Sequence, residues 1–323
     1  MMSSQPAPDS TSDSTPDVAP ESPESPVTLS VAHCLDEIDL DPTRRARTAY
    51  IVVDVIRATT TLAVMFERGA RRVLVARDVD AARAVRASQP QALVAGEVNA
   101  VAPSDFDYGN SPEEWSAVDV AGREILFSTT NGARGLHAAM GGGPVFAGCL
   151  RNASAVCAAA LAAARQLSTP ATSAASATPV ISATGAIITV VCSGLDDQPS
   201  DDDSLCAGWL IQTLQQEARQ NNVAVDLGPG AQRALDLLAT QRQTYSESDD
   251  ALPKLWLAGV LSDTSAAQAV LAAGLGADLI WCADVDASTA VPMVAGADAS
   301  RKLVVVERAP AQVLGIPIGD EIP

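Results

Sequence analysis

The chain has 323 residues, enough for one large domain or two modest ones with a sizeable apolar core. Its 39 acidic residues against 21 Lys and Arg give a net charge of −18, which opposes general attraction to nucleic acid or to an anionic membrane. No stretch approaches the roughly 20 continuous apolar residues of a membrane span, and no basic start precedes an apolar run at the N-terminus. We therefore expect a cytoplasmic protein without nucleic-acid or membrane partners.

The six cysteines are scattered, without a CxxC motif or zinc-ligand spacing. Cys192 and Cys282 end strongly apolar runs, where a free cysteine behaves as a small hydrophobic residue. The spacing thus indicates neither a disulfide framework nor a structural zinc, and a cysteine nucleophile lacks support.

Two segments have the composition of disordered chain. Residues 1–27 are rich in Ser, Pro, Thr and Asp, with five acids and no Lys or Arg, and we expect a disordered acidic tail. The stretch at about 167–185 is Ala, Ser, Thr and Pro without an apolar period, which indicates a low-complexity insertion. The remainder, 28–323, is expected to form one domain.

Short β-branched runs alternate with longer Ala-rich amphipathic runs, a pattern typical of an α/β protein with a mostly parallel sheet. The predicted strands are Tyr50–Asp54, Val73–Ala76, Ala92–Ala95, Ile125–Ser128, Val145–Ala147, Ile187–Cys192, Leu279–Cys282 and Leu303–Glu307. The predicted helices are Thr60–Arg68, Val79–Ser88, Asn152–Gln166, Asp203–Gln220, Ala231–Gln241 and Thr264–Ala273.

Polar residues directly after the apolar runs are the first candidates for a site, because open α/β sheets bind ligands beyond the carboxyl ends of their strands. The first run ends in Asp54, and Arg57 and the hydroxyls of 59–61 follow at a predicted helix start. This arrangement suits a metal ion beside an anion, although a helix cap with a structural ion pair would use the same residues.

Three further runs end in polar residues. Glu97 follows the run at 92–96, and the segment 106–112 adds Asp107, Asn110 and Ser111. The run at 125–128 leads into Thr129, Thr130, Asn131, Gly132 and Arg134, a plausible phosphate or sulfonate cradle without Walker spacing. Asp201, Asp202 and Asp203 precede a helix, where acids are also favoured by the helix dipole, but three exceed what capping needs.

Taken in order, these segments resemble the 2-phosphosulfolactate phosphatase family, the ComB-like proteins of the coenzyme M pathway. The matching stretches are VVDVIRATTT (52–61), AGE (95–97), FDYGNSP (106–112), STTNGARGL (128–136), NASAV (152–156) and DDSLCAG (202–208). The resemblance covers about 52–218, and more weakly a tail with Gly274, Asp278, Cys282 and Pro292. Ala133, Val98 and Asp202 depart from the family's pattern.

The resemblance implies a three-layer α/β/α fold with a mostly parallel or mixed sheet, and Mg²⁺-dependent hydrolysis of (2R)-2-phospho-3-sulfolactate to 3-sulfolactate and phosphate. Residues matched to the family's motifs, together with neighbouring hydroxyls, glycine and arginine, form the candidate site. The predicted catalytic residues are Asp54, Arg57 and Asn131; the predicted metal ligands are Asp54, Glu97, Asp107, Asp202 and Asp203; the predicted substrate-binding residues are Thr59, Thr60, Thr61, Asn110, Ser111, Thr129, Thr130, Gly132 and Arg134.

Several alternatives stay open at this stage. Asp54 could form an aspartyl-phosphate or orient a metal-bound water. The substrate could be another small anionic phosphomonoester, or the chain could be a non-catalytic ligand-binding descendant. His33 and His137 fit a surface or packing role better than that of a general acid. The Ala-rich helices could pack inside one subunit or between two, and we favour a homodimer.

Overall fold

The structure is a computed structural model that describes residues 25–168, 185–245 and 253–314. Most of the expected N-terminal tail and of the expected insertion lies outside these ranges. Val27, which composition placed in the tail, is the first residue of a strand, and Leu167 and Ser168 end a helix.

The described residues form ten strands and eleven α-helices, with short 3₁₀ turns at Leu35–Glu37 and Leu150–Asn152. The strands are β1 (Val27–Ala32), β2 (Thr48–Val53), β3 (Arg72–Ala76), β4 (Leu93–Gly96), β5 (Glu124–Ser128), β6 (Val145–Gly148), β7 (Ile187–Cys192), β8 (Val225–Leu227), β9 (Pro292–Asp298) and β10 (Leu303–Arg308). The helices are α1 (Pro42–Arg45), α2 (Ala58–Glu67), α3 (Val79–Ser88), α4 (Pro112–Ser116), α5 (Gly132–Ala139), α6 (Ala153–Ser168), α7 (Asp201–Gln220), α8 (Ala231–Tyr245), α9 (Pro253–Ser262), α10 (Ser265–Ala272) and α11 (Asp278–Cys282).

All ten strands belong to one mixed sheet with the order β4-β5-β3-β10-β9-β6-β2-β7-β1-β8. The strands β4, β5 and β3 form one parallel block, and β6, β2, β7, β1 and β8 form a second. The antiparallel hairpin of β9 and β10 lies between the blocks and pairs antiparallel with β3 on one side and β6 on the other. Three successive antiparallel pairings mean that the two blocks run in opposite directions.

Helices cover both faces of the sheet, which confirms the predicted three-layer α/β/α fold. In β2, Ile51 and Val53 pack into a core with α6, α7, α8 and α9, whereas Tyr50 and Val52 face the opposite core with α2 and α5. The second core also contains buried side chains of β3 and β5. Both parallel blocks therefore contribute side chains to one core.

One predicted strand is wrong: the apolar run Leu279–Cys282 is part of the helix α11. Leu279 and Cys282 are buried while Ile280 between them is 41% exposed, a spacing of three that matches a helix. In a strand, buried and exposed side chains would alternate from one residue to the next. The other seven predicted strands and all six predicted helices are confirmed within a few residues, and β1, β8, β9 and several helices were not predicted.

Within the described ranges, no single helix is long and apolar enough to cross a membrane. Residues Leu255–Ser262 and Ser265–Ala272 reach that composition only as a pair bent by 88°.

Gly96 ends β4 in a conformation that other residues rarely adopt, with φ of +152°. A Cβ atom at this position would lie 2.0 Å from the carbonyl oxygen of Ser128 on the neighbouring β5. The close approach lets the backbone N–H of Glu97 donate to that same oxygen at 3.0 Å. The glycine therefore sets the path of the chain into Glu97.

Gly96→Ala should lower the free energy of unfolding by about 3 kcal/mol, because the new methyl group forces β4 away from β5. Gly296→Ala is the matched control, since Gly296 is exposed on β9 and nothing lies within 4 Å of its Cβ position. Urea unfolding of both variants measures the difference. Equal stability of the two variants would contradict this account of Gly96.

Candidate active site

The ends of β2, β4, β5 and β7 open into one pocket with a cavity volume of about 210 Å³. Residues from the loops after these strands and from α10 line it. They are Asp54, Ile56, Arg57, Glu97, Asn99, Ala100, Asn110, Thr130, Asn131, Gly194, Leu195, Asp196, Ser200, Asp202, Asp203, Ala266, Ala269 and Val270. The pocket thus brings together eight of the residues predicted for the site, namely Asp54, Arg57, Glu97, Asn110, Thr130, Asn131, Asp202 and Asp203.

Asp54 lies at the centre of this arrangement, directly after β2. Its Oδ1 accepts a hydrogen bond from the backbone N–H of Ala58 at 3.2 Å, and the N–H of Gly132 also donates to its carboxylate. Burial, with the charges of Glu97 and Asp202, raises the pKa of Asp54 to about 7 against the lowering effect of these two N–H groups. Two helices, α2 and α5, therefore begin at one buried carboxylate.

Gly132 is needed behind Asp54 although it does not line the pocket. A Cβ atom at Gly132 would lie 2.5 Å from the Cβ of Ala58 and 2.9 Å from Oδ2 of Asp54. The absence of a side chain lets α5 approach the carboxylate closely enough for its first N–H to donate. The prediction that Gly132 belongs to the site thus has a physical reason, which is contact with Asp54.

Glu97 joins the loop after β4 to the loop after β5. Its Oε1 accepts from the N–H of Thr130 at 2.7 Å, and its Oε2 accepts from the N–H of Ala100 at 3.0 Å. The residue is 9% exposed. Both oxygens are positioned by the backbone and keep lone pairs for a further ligand.

Asp202 and Asp203 enter from the first turn of α7 and have different surroundings. The Oδ1 of Asp203 accepts from the N–H of Val55 at 2.9 Å and its Oδ2 from the N–H of Gly194 at 3.0 Å, so this carboxylate joins the ends of β2 and β7. Burial raises its pKa well above the usual range, and Asp202 and Asp54 raise it further. Burial also raises the pKa of Asp202 to about 6.

Arg57 is the one basic side chain among the described lining residues, beside five acids. It is 2% exposed, and its Nη1 donates to Oδ2 of Asp278 at 2.6 Å. Its Nη2 donates to the carbonyl of Ala100 at 2.7 Å. The positive charge of Arg57 is thus already balanced by Asp278, and the pocket is strongly negative.

Three helices begin at the pocket, and in each the residue at the N-cap position makes no capping hydrogen bond through its side chain. The residues at the N-cap positions of α2, α5 and α7 are Arg57, Asn131 and Ser200, and none of them accepts a capping hydrogen bond. All three line the pocket. Helix N-termini carry partial positive charge and favour an anion; at α2 and α5 the carboxylate of Asp54 already accepts from the first N–H group.

The three threonines after Arg57 do not reach the pocket, contrary to the prediction that they bind substrate. Thr59, Thr60 and Thr61 are fully buried on α2. The hydroxyl of Thr59 donates to the carbonyl of Asp54 and that of Thr60 to the carbonyl of Val55, both at 2.9 Å. These hydroxyls therefore fix the turn that carries Asp54.

Four other predicted residues also lie away from the pocket lining. Asp107, predicted as a metal ligand, accepts from the N–H of Val94 and pairs with Arg86. Arg134 pairs with Asp197 on the surface. Ser111 donates to Asp278 at 2.6 Å and caps α4, and the hydroxyl of Thr129 accepts from the N–H of Ala133. Each of these side chains is engaged in holding a loop or a helix.

The sequence analysis missed the wall that α10 contributes and the partner of Arg57. Ala266, Ala269 and Val270 line the pocket from a segment that the resemblance covered only weakly. Asp278 is 1% exposed and is reached by two segments from early in the chain. Its place in the weakly matching tail is the sequence signal that could have drawn attention to it.

The histidines and cysteines do not line this pocket. His33 is buried, and its ring contacts the hydroxyl of Ser204 and the carbonyl of Gly230. All six cysteines are buried and free, and burial raises the pKa of the Cys149 and Cys192 thiols. These groups fit the packing roles expected from the sequence.

Comparison with known proteins places this site in a family. A family model described as 2-phosphosulpholactate phosphatase matches residues 35–297. A probable 2-phosphosulfolactate phosphatase of Thermus thermophilus is 33% identical over 247 residues, 76% of this chain and 87% of the relative. One from Symbiobacterium thermophilum is 30% identical over 245 residues, 75% of this chain and 89% of the relative.

A probable 2-phosphosulfolactate phosphatase of Deinococcus radiodurans is 36% identical over 178 residues, 55% of this chain and 66% of the relative, just under two thirds of its length. The family match extends over most of the described fold and includes the loops that form the pocket. The chain therefore belongs to the 2-phosphosulpholactate phosphatase family and is a phosphoric monoester hydrolase.

Proposed function

We propose that this enzyme hydrolyses (2R)-2-phospho-3-sulfolactate to 3-sulfolactate and phosphate with Mg²⁺ as its cofactor, a cytoplasmic step of coenzyme M biosynthesis. One observation carries the proposal: buried carboxylates and the N-termini of three helices converge on a single small pocket. The names of the relatives support the choice of substrate. The homodimer expected from the Ala-rich helices stays a prediction.

The residues present fit a divalent cation. Asp54 and Asp202 are buried with raised pKa values, and Arg57 is already paired with Asp278, so no described side chain in the pocket balances these acids. The Oδ1 of Asn110 is buried in the same pocket without a hydrogen-bond partner. An anionic ester would be repelled here unless a cation were bound first.

The donor set suits Mg²⁺ better than a metal that needs several protein ligands. In the described ranges, no group of three or more His, Cys, Asp or Glu side chains could hold a metal ion. Mg²⁺ prefers hard oxygen ligands and commonly uses one or two carboxylates with water and substrate phosphate. One or two of the carboxylates of Asp54, Glu97 and Asp202 would hold it together with water, and when bound it would neutralise charge on the phosphoryl oxygens.

The chain's own residues would then bind and orient the ester. The N-termini of α2, α5 and α7, with Asn131 and Thr130, would receive the anionic oxygens, and Arg57 would donate to them. Phosphoryl transfer needs little covalent work from a protein, because in-line positioning and charge neutralisation lower most of the barrier. Asp54 would act either as the nucleophile or as the group that orients the attacking water.

Purified enzyme should release phosphate selectively from (2R)-2-phospho-3-sulfolactate with Mg²⁺, and EDTA should abolish the release. The panel includes phosphomonoesters of 2-hydroxy acids without a sulfonate, and phosphate is measured colorimetrically. Equal rates with the other esters would assign a different substrate. No release from any ester would favour a non-catalytic role.

Asp54→Asn should lower kcat by about 1,000-fold or more while the protein stays folded, because the carboxylate is central to the charged site. Asp107→Asn is the matched control: it removes an acid that the structure assigns to the support of β4, so kcat should stay within about threefold. Steady-state kinetics and circular dichroism of both variants are compared. Wild-type turnover by Asp54→Asn would remove this residue from the mechanism.

Without metal, stability should fall as the pH rises from 5 to 8. The raised pKa of Asp54, about 7, means that the folded state binds more protons than the unfolded state between about pH 4 and 7. Stability is thus lost as this carboxyl ionises, on the order of 2 kcal/mol. Asp54→Asn should remove part of the decrease, and the raised pKa values of Asp202 and Asp203 account for the rest.

The measurement is thermal unfolding in EDTA and in Mg²⁺ across this pH range. Mg²⁺ should stabilise the wild type more at pH 8 than at pH 5, because it would bind the ionised carboxylates. A stability that rises with pH to the same extent in the wild type and in Asp54→Asn would contradict the assignment.

A further inference from the structure

We propose that Asp278 is a positioning residue that sets the orientation of Arg57 in the active pocket, an inference that rests on the proposed function. Asp278 does not line the pocket, whereas Arg57 does. The two side chains form a buried ion pair of 2.6 Å in which Asp278 is 1% exposed and Arg57 2%. Asp278 therefore acts on the substrate only through the guanidinium.

The two oxygens of Asp278 have separate partners, which fixes the carboxylate plane. Oδ2 accepts from Nη1 of Arg57, while Oδ1 accepts from the hydroxyl of Ser111 at 2.6 Å and the N–H of Glu113 at 3.2 Å. Arg57 is held from a second side because its Nη2 donates to the carbonyl of Ala100 at 2.7 Å. Asp278 thus joins three stretches of chain, the loop after β2, the start of α4 and α11.

The remaining donors of Arg57 are the ones that can reach an ester. A guanidinium has five N–H donors, and the contacts to Asp278 and Ala100 engage one on each terminal nitrogen. With two donors fixed, the plane of the group is fixed, and the others keep a constant direction in the pocket that Arg57 lines. Such preorganisation raises the rate more than it raises the affinity.

The variant Asp278→Asn distinguishes an effect on kcat, expected of a positioning residue, from an effect on substrate affinity. An asparagine has one acceptor oxygen and an amide that only donates, so it cannot accept from Arg57 and from the Ser111 side at once. Arg57 then loses its fixed direction, but the pocket gains net positive charge. The expected result is a kcat about 100-fold lower with a KM that stays within threefold or falls.

Asp284→Asn is the matched control. Asp284 lies shortly after α11 and accepts from another buried arginine, Arg151, at 3.1 Å, but neither residue lines the pocket. Its loss perturbs a similar ion pair at a distance from the chemistry. The kcat of Asp284→Asn should stay within about threefold of the wild type, and both variants are checked by thermal unfolding.

A double-mutant cycle with Arg57→Gln tests whether Asp278 acts through Arg57. In the Arg57→Gln background, Asp278→Asn should cause no further loss of kcat, and it should restore stability because it removes an unpaired buried carboxylate. The kinetics use Mg²⁺ and the ester that the wild type hydrolyses best. Independent losses of kcat that multiply, or equal effects of Asp278→Asn and Asp284→Asn, would overturn the proposal.

Calorimetry of inorganic phosphate binding in the presence of Mg²⁺ tests this inference separately from the proposed function. If the wild type hydrolyses none of the esters, the proposed function fails, and calorimetry still decides the role of Asp278. Asp278→Asn should then strengthen phosphate binding in the wild-type background, in line with an unchanged or lower KM, and should not change it in the Arg57→Gln background. A more than tenfold weaker affinity in both backgrounds would show that Asp278 only supports the fold.

Discussion

The burial of several carboxylates against one another is the constraint on which the pocket depends. Each acid is placed by backbone N–H groups from two different segments: Asp54 by α2 and α5, Glu97 by the loops after β4 and β5, and Asp203 by the ends of β2 and β7. The same groups that create the negative potential therefore also join the loops to one another. Charge repulsion and loop assembly are opposing effects of one set of residues.

Much of the fold and site could be predicted because polar residues directly follow apolar runs. Asp54, Glu97 and Asn131 are such residues, and the rule that ligands bind beyond the carboxyl ends of strands placed them together. In a flat sheet, the opposite directions of the two parallel blocks would have separated these ends. Residues after strands of both blocks nevertheless line one pocket, and the hairpin of β9 and β10 is what joins the blocks. The proline, glycine and alanines of Pro292–Asp298 gave no sign of a strand in the sequence.

Other residues could not be assigned because sequence does not distinguish a ligand-facing polar group from one that bonds its own backbone. The hydroxyls of Thr59 and Thr60 and the carboxylate of Asp107 bond local carbonyl or N–H groups. Conversely, Asp278 pairs with Arg57 across more than 200 residues of chain, and no local pattern could indicate that contact. A hydroxyl group that follows a strand can therefore be assigned as a ligand only after the structure shows whether it is buried or faces the pocket.

The position of the C-terminal hairpin also affects how the protein is made. Because β10 pairs with β3 and β9 with β6, two strands that are synthesised after the other eight described strands join the two halves of the sheet. Until then, the nascent chain has two open strand edges and an incomplete core between them. The reaction centre consequently forms late, and an interrupted translation product would be a target for chaperones rather than a partly active enzyme.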